Sequence, residues 1–126
     1  MAQTEHATIL LVDDDPMSRE LMQTVLERWG YRVIYATNGA QALEIVSEQQ
    51  PMLVLCDVRM VGLSGYEVCM RMKADPRTAA IPFIILTAYD NDIERSKAKA
   101  AGADVFYPKM KGWPALLEQM RALLSI

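Results

Sequence analysis

The chain has 126 residues, 52% of them hydrophobic, with a formal net charge of −3, which suits one folded domain with its own core and excludes a disordered chain. The acidic balance, with a pI near 5.1, argues against sequence-independent nucleic-acid binding, which needs a basic face. No apolar stretch reaches the length of a membrane span, and the polar N-terminus lacks the basic-then-apolar pattern of a signal peptide, so the expected address is the cytoplasm.

Residues 1–7 read as a flexible tail and residues 8–126 as the folded domain. Thr8–Val12 reads as a strand. Asp15-Pro16 then offers a helix cap with proline at the first helical position. Met17, Leu21, Met22, Val25, Leu26 and Trp29 follow helical spacing, and Gly30 supplies the stop. Arg32–Ala36 is a short second strand. Asn38 with Gln41 has the form of a capping box opening a helix that runs to about Gln49. Pro51 precedes a third strand, Met52–Cys56. A loop of small residues, Val61 to Gly65, leads to a helix ending near Ala74, before the breaker Asp75-Pro76. Pro82–Leu86 is the fourth strand. Asp90 or Asn91 caps a fourth helix that ends before Gly102. Its apolar stripe is thin, Ile93 and then mostly alanines, so this helix is expected to be loosely held. Asp104–Tyr107 is the fifth strand. Leu116, Leu117, Met120, Leu123 and Leu124 give the last helix a strong apolar face.

Five strand–helix units imply a doubly wound α/β domain, a parallel (βα)5 sheet with helices on both faces. The first, third and fourth runs are apolar throughout, as in strands buried on both sides. Pro108 cannot donate to a ladder, which suits an edge strand and the flavodoxin-like order 2-1-3-4-5. Cys56 and Cys69 read as buried, reduced thiols, since no Cys or His partner stands at metal-ligand spacing. The nine methionines read as adaptable core filler.

Four of the strands end on a polar residue. Val12 runs into Asp13-Asp14, Cys56 into Asp57, Leu86 into Thr87, and Pro108 into Lys109. In open parallel sheets, ligands bind outside the carboxyl ends of the strands. Three carboxylates, a hydroxyl and an ammonium would therefore meet at one edge. Two carboxylates ~4 Å apart repel by about 4 kcal/mol at an effective dielectric near 20. Mg²⁺ would relieve that repulsion, because it takes oxygen ligands, keeps several waters and needs only one or two carboxylates besides phosphate. Three carboxylates with Lys109 leave a charge of −2, which one Mg²⁺ cancels, so a phosphoryl group could approach. Asp57 is the candidate nucleophile, since carboxylates form aspartyl-phosphate intermediates. Thr87 and Lys109 would hold phosphoryl oxygens, and backbone N–H groups after Asp57 and Thr87 would complete the cradle.

Each of these residues has a plainer reading. Asp13-Asp14-Asp15 alone is equally a solvated capping run, and Asp15 reads as the cap itself. Asp57 alone is more often a turn residue, Thr87 a strand-end hydroxyl bonded to backbone, and Lys109 a surface lysine. Phe106 alone reads as edge packing. Their joint placement at strand ends is what favours a functional site.

Leu11-Val12-Asp13-Asp14-Asp15-Pro16, Cys56-Asp57 with Met60 and Gly65, Leu86-Thr87-Ala88, Gly102-Ala103-Asp104 and Lys109 occur in order, each beside its own strand. In this the chain resembles the receiver domain of bacterial two-component response regulators, of the single-domain, chemotaxis-regulator-like kind, over nearly its full length. The resemblance implies that Asp57 accepts a phosphoryl group from a sensor histidine kinase or a phosphotransfer protein. Asp13, Asp14, Asp57 and the backbone carbonyl of Arg59 would hold Mg²⁺. Thr87 would swing toward the phosphoryl group and Phe106 inward behind it. The surface of the fourth helix, fifth strand and fifth helix would then change its preference for a downstream protein target or a fused output domain. The chain itself would be a regulatory phosphoacceptor, not an enzyme. It would be a monomer or a phosphorylation-dependent dimer, with no direct contact to nucleic acid or membrane. Arg59 and Tyr89 occupy the variable positions flanking the site and would modulate phosphate lifetime.

The sequence departs from the family pattern where Met110 replaces the proline that normally follows the lysine through a cis bond. A cis non-proline bond costs roughly 3–4 kcal/mol. Either the loop bears that cost, or the bond is trans and Lys109 is placed differently. Val61 replaces a proline in the loop after Asp57, which should leave that loop more flexible. Other functions remain open: a small phosphatase with an aspartyl nucleophile, a flavin-binding sheet, or a receiver fold that no longer accepts phosphate. The phosphatase would need a second acid where Arg59 stands. Flavin would meet an acidic first loop that repels its phosphate unless a metal intervened.

Overall fold

The computed structural model describes residues 7–124. The expected N-terminal tail lies outside the described residues except for Ala7, which is buried. The carbonyl of Ala7 accepts the amide of Arg32 at 2.9 Å. Five strands, β1 (Thr8–Val12), β2 (Arg32–Ala36), β3 (Leu53–Asp57), β4 (Phe83–Thr87) and β5 (Val105–Pro108), form a parallel sheet in the order β2-β1-β3-β4-β5. Helices α1 (Pro16–Arg28), α2 (Gly39–Gln49), α3 (Gly65–Ala74), α4 (Asp92–Ala101) and α5 (Trp113–Leu123) connect or follow them. The expected doubly wound architecture and strand order hold.

Side-chain alternation sorts each central strand onto two cores. Leu10 and Val12, Val54 and Cys56, and Phe83 and Ile85 face α2, α3 and α4. Ile9 and Leu11, Leu53 and Leu55, and Ile84 and Leu86 face α1 and α5. All twelve are at most 2% exposed, so the runs Ile9–Val12, Leu53–Cys56 and Phe83–Leu86 must be apolar throughout. Burying one such Leu, Ile, Val or Phe stabilises by roughly 1.5–3 kcal/mol. The edge strand β2, by contrast, carries exposed Arg32 and Tyr35. Among the described residues no helix is long and apolar enough to cross a membrane.

Several local expectations change. On α1 only Met22 and Leu26 are buried, while Met17 and Leu21 are 80% and 57% exposed. Asn38 does cap α2, accepting the Gln41 amide at 2.8 Å. The Gln41 side chain, however, reaches back to the Thr37 amide at 2.7 Å, one residue before the position a capping box requires. Ser64 and Glu67 form a complete capping box at α3, the Ser-x-x-Glu pattern of a helix start. Asn91, not Asp90, caps α4. Ile93 is 69% exposed, because the inward face of α4 is instead Glu94, Ala98 and Ala101. β3, β4 and β5 each begin one residue later than expected. The carboxylate of Asp104 instead accepts the Phe83 amide at 2.8 Å and the Lys73 ammonium at 2.9 Å.

Candidate functional site

The ladder register assembles the site. Val12 pairs with Cys56 across β1 and β3. Asp13, one step beyond, therefore stands beside Asp57. Asp57 pairs with Leu86 on β4, and Thr87 pairs with Pro108 on β5. Lys109 then emerges one residue past that pair. Ligand oxygens of Asp13, Asp14 and Asp57 all lie within 4.8 Å of one another.

Each acid is held differently. Asp13 is 4% exposed, and its Oδ1 accepts the Asp15 amide at 2.9 Å. Its own amide donates to the Ala36 carbonyl at 3.1 Å. Asp15 caps α1 by position, without a side-chain bond. Asp14 is exposed, and its Oδ2 accepts the Val61 amide at 3.4 Å, which ties the loop after β3 to the loop after β1. Asp57 is half-buried, with Oδ1 accepting the Val58 amide at 2.9 Å and lying 3.7 Å from Lys109 Nζ.

Gly65 explains part of that placement. A Cβ there would sit 2.3 Å from the Asp57 carbonyl oxygen, and the Gly65 amide donates to the Val58 carbonyl at 2.9 Å. Only glycine lets the start of α3 close so tightly on the nucleophile loop. Gly65 stood in the sequence motif, but its reason is visible only in three dimensions.

Among the described residues no peptide bond is cis, so the Lys109-Met110 bond is trans. Lys109 opens a short 3-10 turn, Lys109–Lys111, and still directs its ammonium at Asp57. The Met110 side chain points away and is 83% exposed. The replacement of proline therefore leaves the ion pair in place.

Thr87 is buried at the end of β4 with its hydroxyl turned into its own loop. It accepts the Tyr89 amide at 2.9 Å and donates to the Tyr89 carbonyl at 3.3 Å. Arg59 Cζ lies 4.0 Å from the centroid of the Tyr89 ring, joining the loops after β3 and β4. Phe106 is partly buried against the core. The structure thus gathers Asp13, Asp14 and Asp57 within 4.8 Å of one another, with Lys109 beside Asp57. Thr87, Arg59, Tyr89 and Phe106 flank that group.

The electrostatics of Asp57 are unfavourable as they stand. Burial is the largest cause that raises its carboxyl above the ordinary value, and Asp13 and Asp14 add repulsion. Lys109 and the Val58 amide oppose the rise without cancelling it. The donor set is all oxygen and carries excess negative charge, which fits a hard divalent cation. Cys56, next in sequence, is no competing nucleophile. Burial first, then the nearby carboxylates, push its thiol well above the usual range, and it is the thiolate that reacts. Both cysteines are free and buried, as the sequence suggested.

The family model of the response regulator receiver domain matches residues 9–121. The chain is 33% identical over 119 residues to protein PilH of Pseudomonas aeruginosa PAO1, covering 94% of this chain and 98% of that protein. It is 40% identical over 116 residues to response regulator MprA of Mycobacterium sp. strain KMS, covering 92% of this chain but 50% of MprA. The chain therefore spans nearly all of one such relative and about half of another. Among solved structures, it aligns with the receiver domain of a sensor histidine kinase from Pseudomonas aeruginosa PAO1 at a TM-score of 0.87 and 27% identity. That alignment covers 96% of this chain and 99% of the other, which holds a magnesium ion coordinated in its active-site cleft.

Proposed function

The chain belongs to the response regulator receiver domain family, and from that premise we propose that it is a phosphorylation-controlled switch whose acceptor is the carboxylate of Asp57. The observation that carries this reading is the convergence of Asp13, Asp14 and Asp57 within 4.8 Å beside the Lys109 ammonium. Asp13, Asp14, Asp57 and the backbone carbonyl of Arg59 would hold Mg²⁺, which when bound supplies positive charge to the acidic group and to the incoming phosphoryl oxygens.

The carboxylate of Asp57 attacks phosphorus, and the bond from phosphorus to the donor's imidazole nitrogen breaks. The electron pair leaves with that nitrogen, which takes a proton from solvent. Positioning and charge stabilisation do most of the work in such transfers. Lys109 is already placed to shift from Asp57 Oδ1 to a phosphoryl oxygen. Thr87 must give up the bond it donates to the Tyr89 carbonyl before its hydroxyl can donate to another phosphoryl oxygen. Its departure from that position opens room for Phe106 to turn inward. The surface of α4, β5 and α5 then changes its partner preference. The donors are a sensor histidine kinase or a phosphotransfer protein, and the readers a downstream protein or a fused output domain. The chain acts in the cytoplasm as a regulatory acceptor rather than an enzyme, as a monomer or a phosphorylation-dependent dimer.

The Arg59–Tyr89 stack screens the site from water and slows hydrolysis of the acyl phosphate. Unchanged phosphate lifetimes in Arg59→Ala and Tyr89→Ala would remove that role. The acceptor itself is tested by incubating the chain with a small acyl phosphate and Mg²⁺. An added phosphoryl mass is expected, lost in Asp57→Asn and in chelator; phosphomonoester turnover or no added mass would overturn the reading.

A further inference from the structure

Helix α4 carries a side chain that touches both parts of the switch. Arg95 Nε and Nη2 donate to Asp90 Oδ1 at 2.9 and 2.6 Å. Asp90 lies three residues past Thr87, on the loop between β4 and α4, and directly follows Tyr89, whose backbone occupies the Thr87 hydroxyl. The same guanidinium lies over the Phe106 ring, with Cζ 4.9 Å from its centroid. One cation thus fastens the loop that carries Thr87 and the ring that follows it.

We infer that Arg95 is a positioning residue that holds Phe106 and the Thr87 loop in the phosphate-free arrangement, and so limits how readily Asp57 is phosphorylated. The inference rests on the switch proposed above. A guanidinium fixed by a carboxylate presents a defined plane, and its face attracts the ring quadrupole. The ion pair by itself would contribute little, since Arg95 and Asp90 side chains are 45% and 33% exposed and such pairs are screened by water and salt. What matters is that Asp90 and Phe106 sit on different elements, and that Phe106 must leave the guanidinium when it turns inward behind Thr87. A contact made in one of two arrangements shifts the population toward that arrangement. Lysine would keep the charge but lose the plane and the two-pronged grip on Asp90.

The test is the initial rate of phosphoryl mass gain by the full chain with acetyl phosphate and Mg²⁺. Arg95→Ala should speed it by roughly two- to fivefold, the range of an exposed cation–ring contact. Arg95→Lys and Asp90→Asn should each give part of that gain. In a Phe106→Leu background, Arg95→Ala should have at most a small further effect, because the ring it acts through is gone. That loss of additivity is something a general effect on folding would not produce. If the wild-type chain takes up phosphate but Arg95→Ala is equally fast or slower, or its effect is the same size with and without Phe106, the role of Arg95 is wrong and the switch stands. If the wild-type chain takes up no phosphate, both fall.

Discussion

Helices α4 and α5 both lie beside the β4–β5 edge of the sheet, on opposite faces, and they are held there by different forces. Helix α5 buries Leu116 and Met120, with Leu124 just beyond its end. Helix α4 buries Glu94, Ala98 and Ala101. Tyr66 on α3 donates to Glu94 Oε1 at 2.8 Å, Cys69 Sγ lies 3.4 Å from the Ala101 carbonyl, and Arg95 pairs with Asp90. Apolar burial is non-directional and lost only by exposing area to water. A hydrogen bond can be exchanged for water at a net cost of only about 1 kcal/mol. The difference predicts more local opening in α4 than in α5.

The largest effect expected from that contrast is on α5. Leu116→Ala should destabilise the chain by roughly 2–5 kcal/mol, the range for a fully buried leucine. Urea denaturation measures it, and a loss below about 1 kcal/mol would mean that α5 is not anchored as described. Tyr66→Phe deletes one bond to a charged partner on α4 and should cost roughly 1.5–3 kcal/mol. Amide hydrogen exchange should then accelerate in α4 while α5 keeps its protection. Equal acceleration in both would erase the distinction between them.

The smallest effect is electrostatic. Asp57 has its folded-state carboxyl raised above 3.8, chiefly by burial. The folded chain therefore binds its proton more tightly than the unfolded chain does, and stability falls as pH rises through the interval between the two values. Asp57→Asn removes that penalty. In metal-free buffer it should raise the melting temperature at pH 7, and the gain should vanish below about pH 3.8. A lower melting temperature at pH 7 would mean that the acidic group is already neutralised without metal.

The strands and their order were legible because a central parallel strand needs unbroken apolar runs, and Ile9–Val12, Leu53–Cys56 and Phe83–Leu86 supply them. Asp13, Asp14 and Asp57 were legible because they follow the first two of those runs, and Lys109 because it follows Val105–Pro108; the register then fixes their meeting. The inward face of α4 keeps its alanines but differs from the sequence reading at its first turn, because hydropathy ranks Ile93 above Glu94. The structure turns Glu94 inward, where the Tyr66 hydroxyl satisfies it. Met17 and Leu21 follow helical spacing yet face outward, since spacing alone does not say how wide a stripe the sheet covers. The demand at Gly65 depends on a backbone oxygen from another element. The grip of Arg95 on Phe106 depends on side-chain direction. Sequence separation reveals neither.

The central claim is that the carboxylate of Asp57 becomes an acyl phosphate. Borohydride reduces an acyl phosphate to an alcohol, so reduction after exposure to acetyl phosphate and Mg²⁺, followed by peptide mass mapping, marks the acceptor. Homoserine is expected at position 57, with unmodified aspartates at 13 and 14. Reduction at either of those positions, or no reduced residue in a chain that has gained phosphoryl mass, would contradict it.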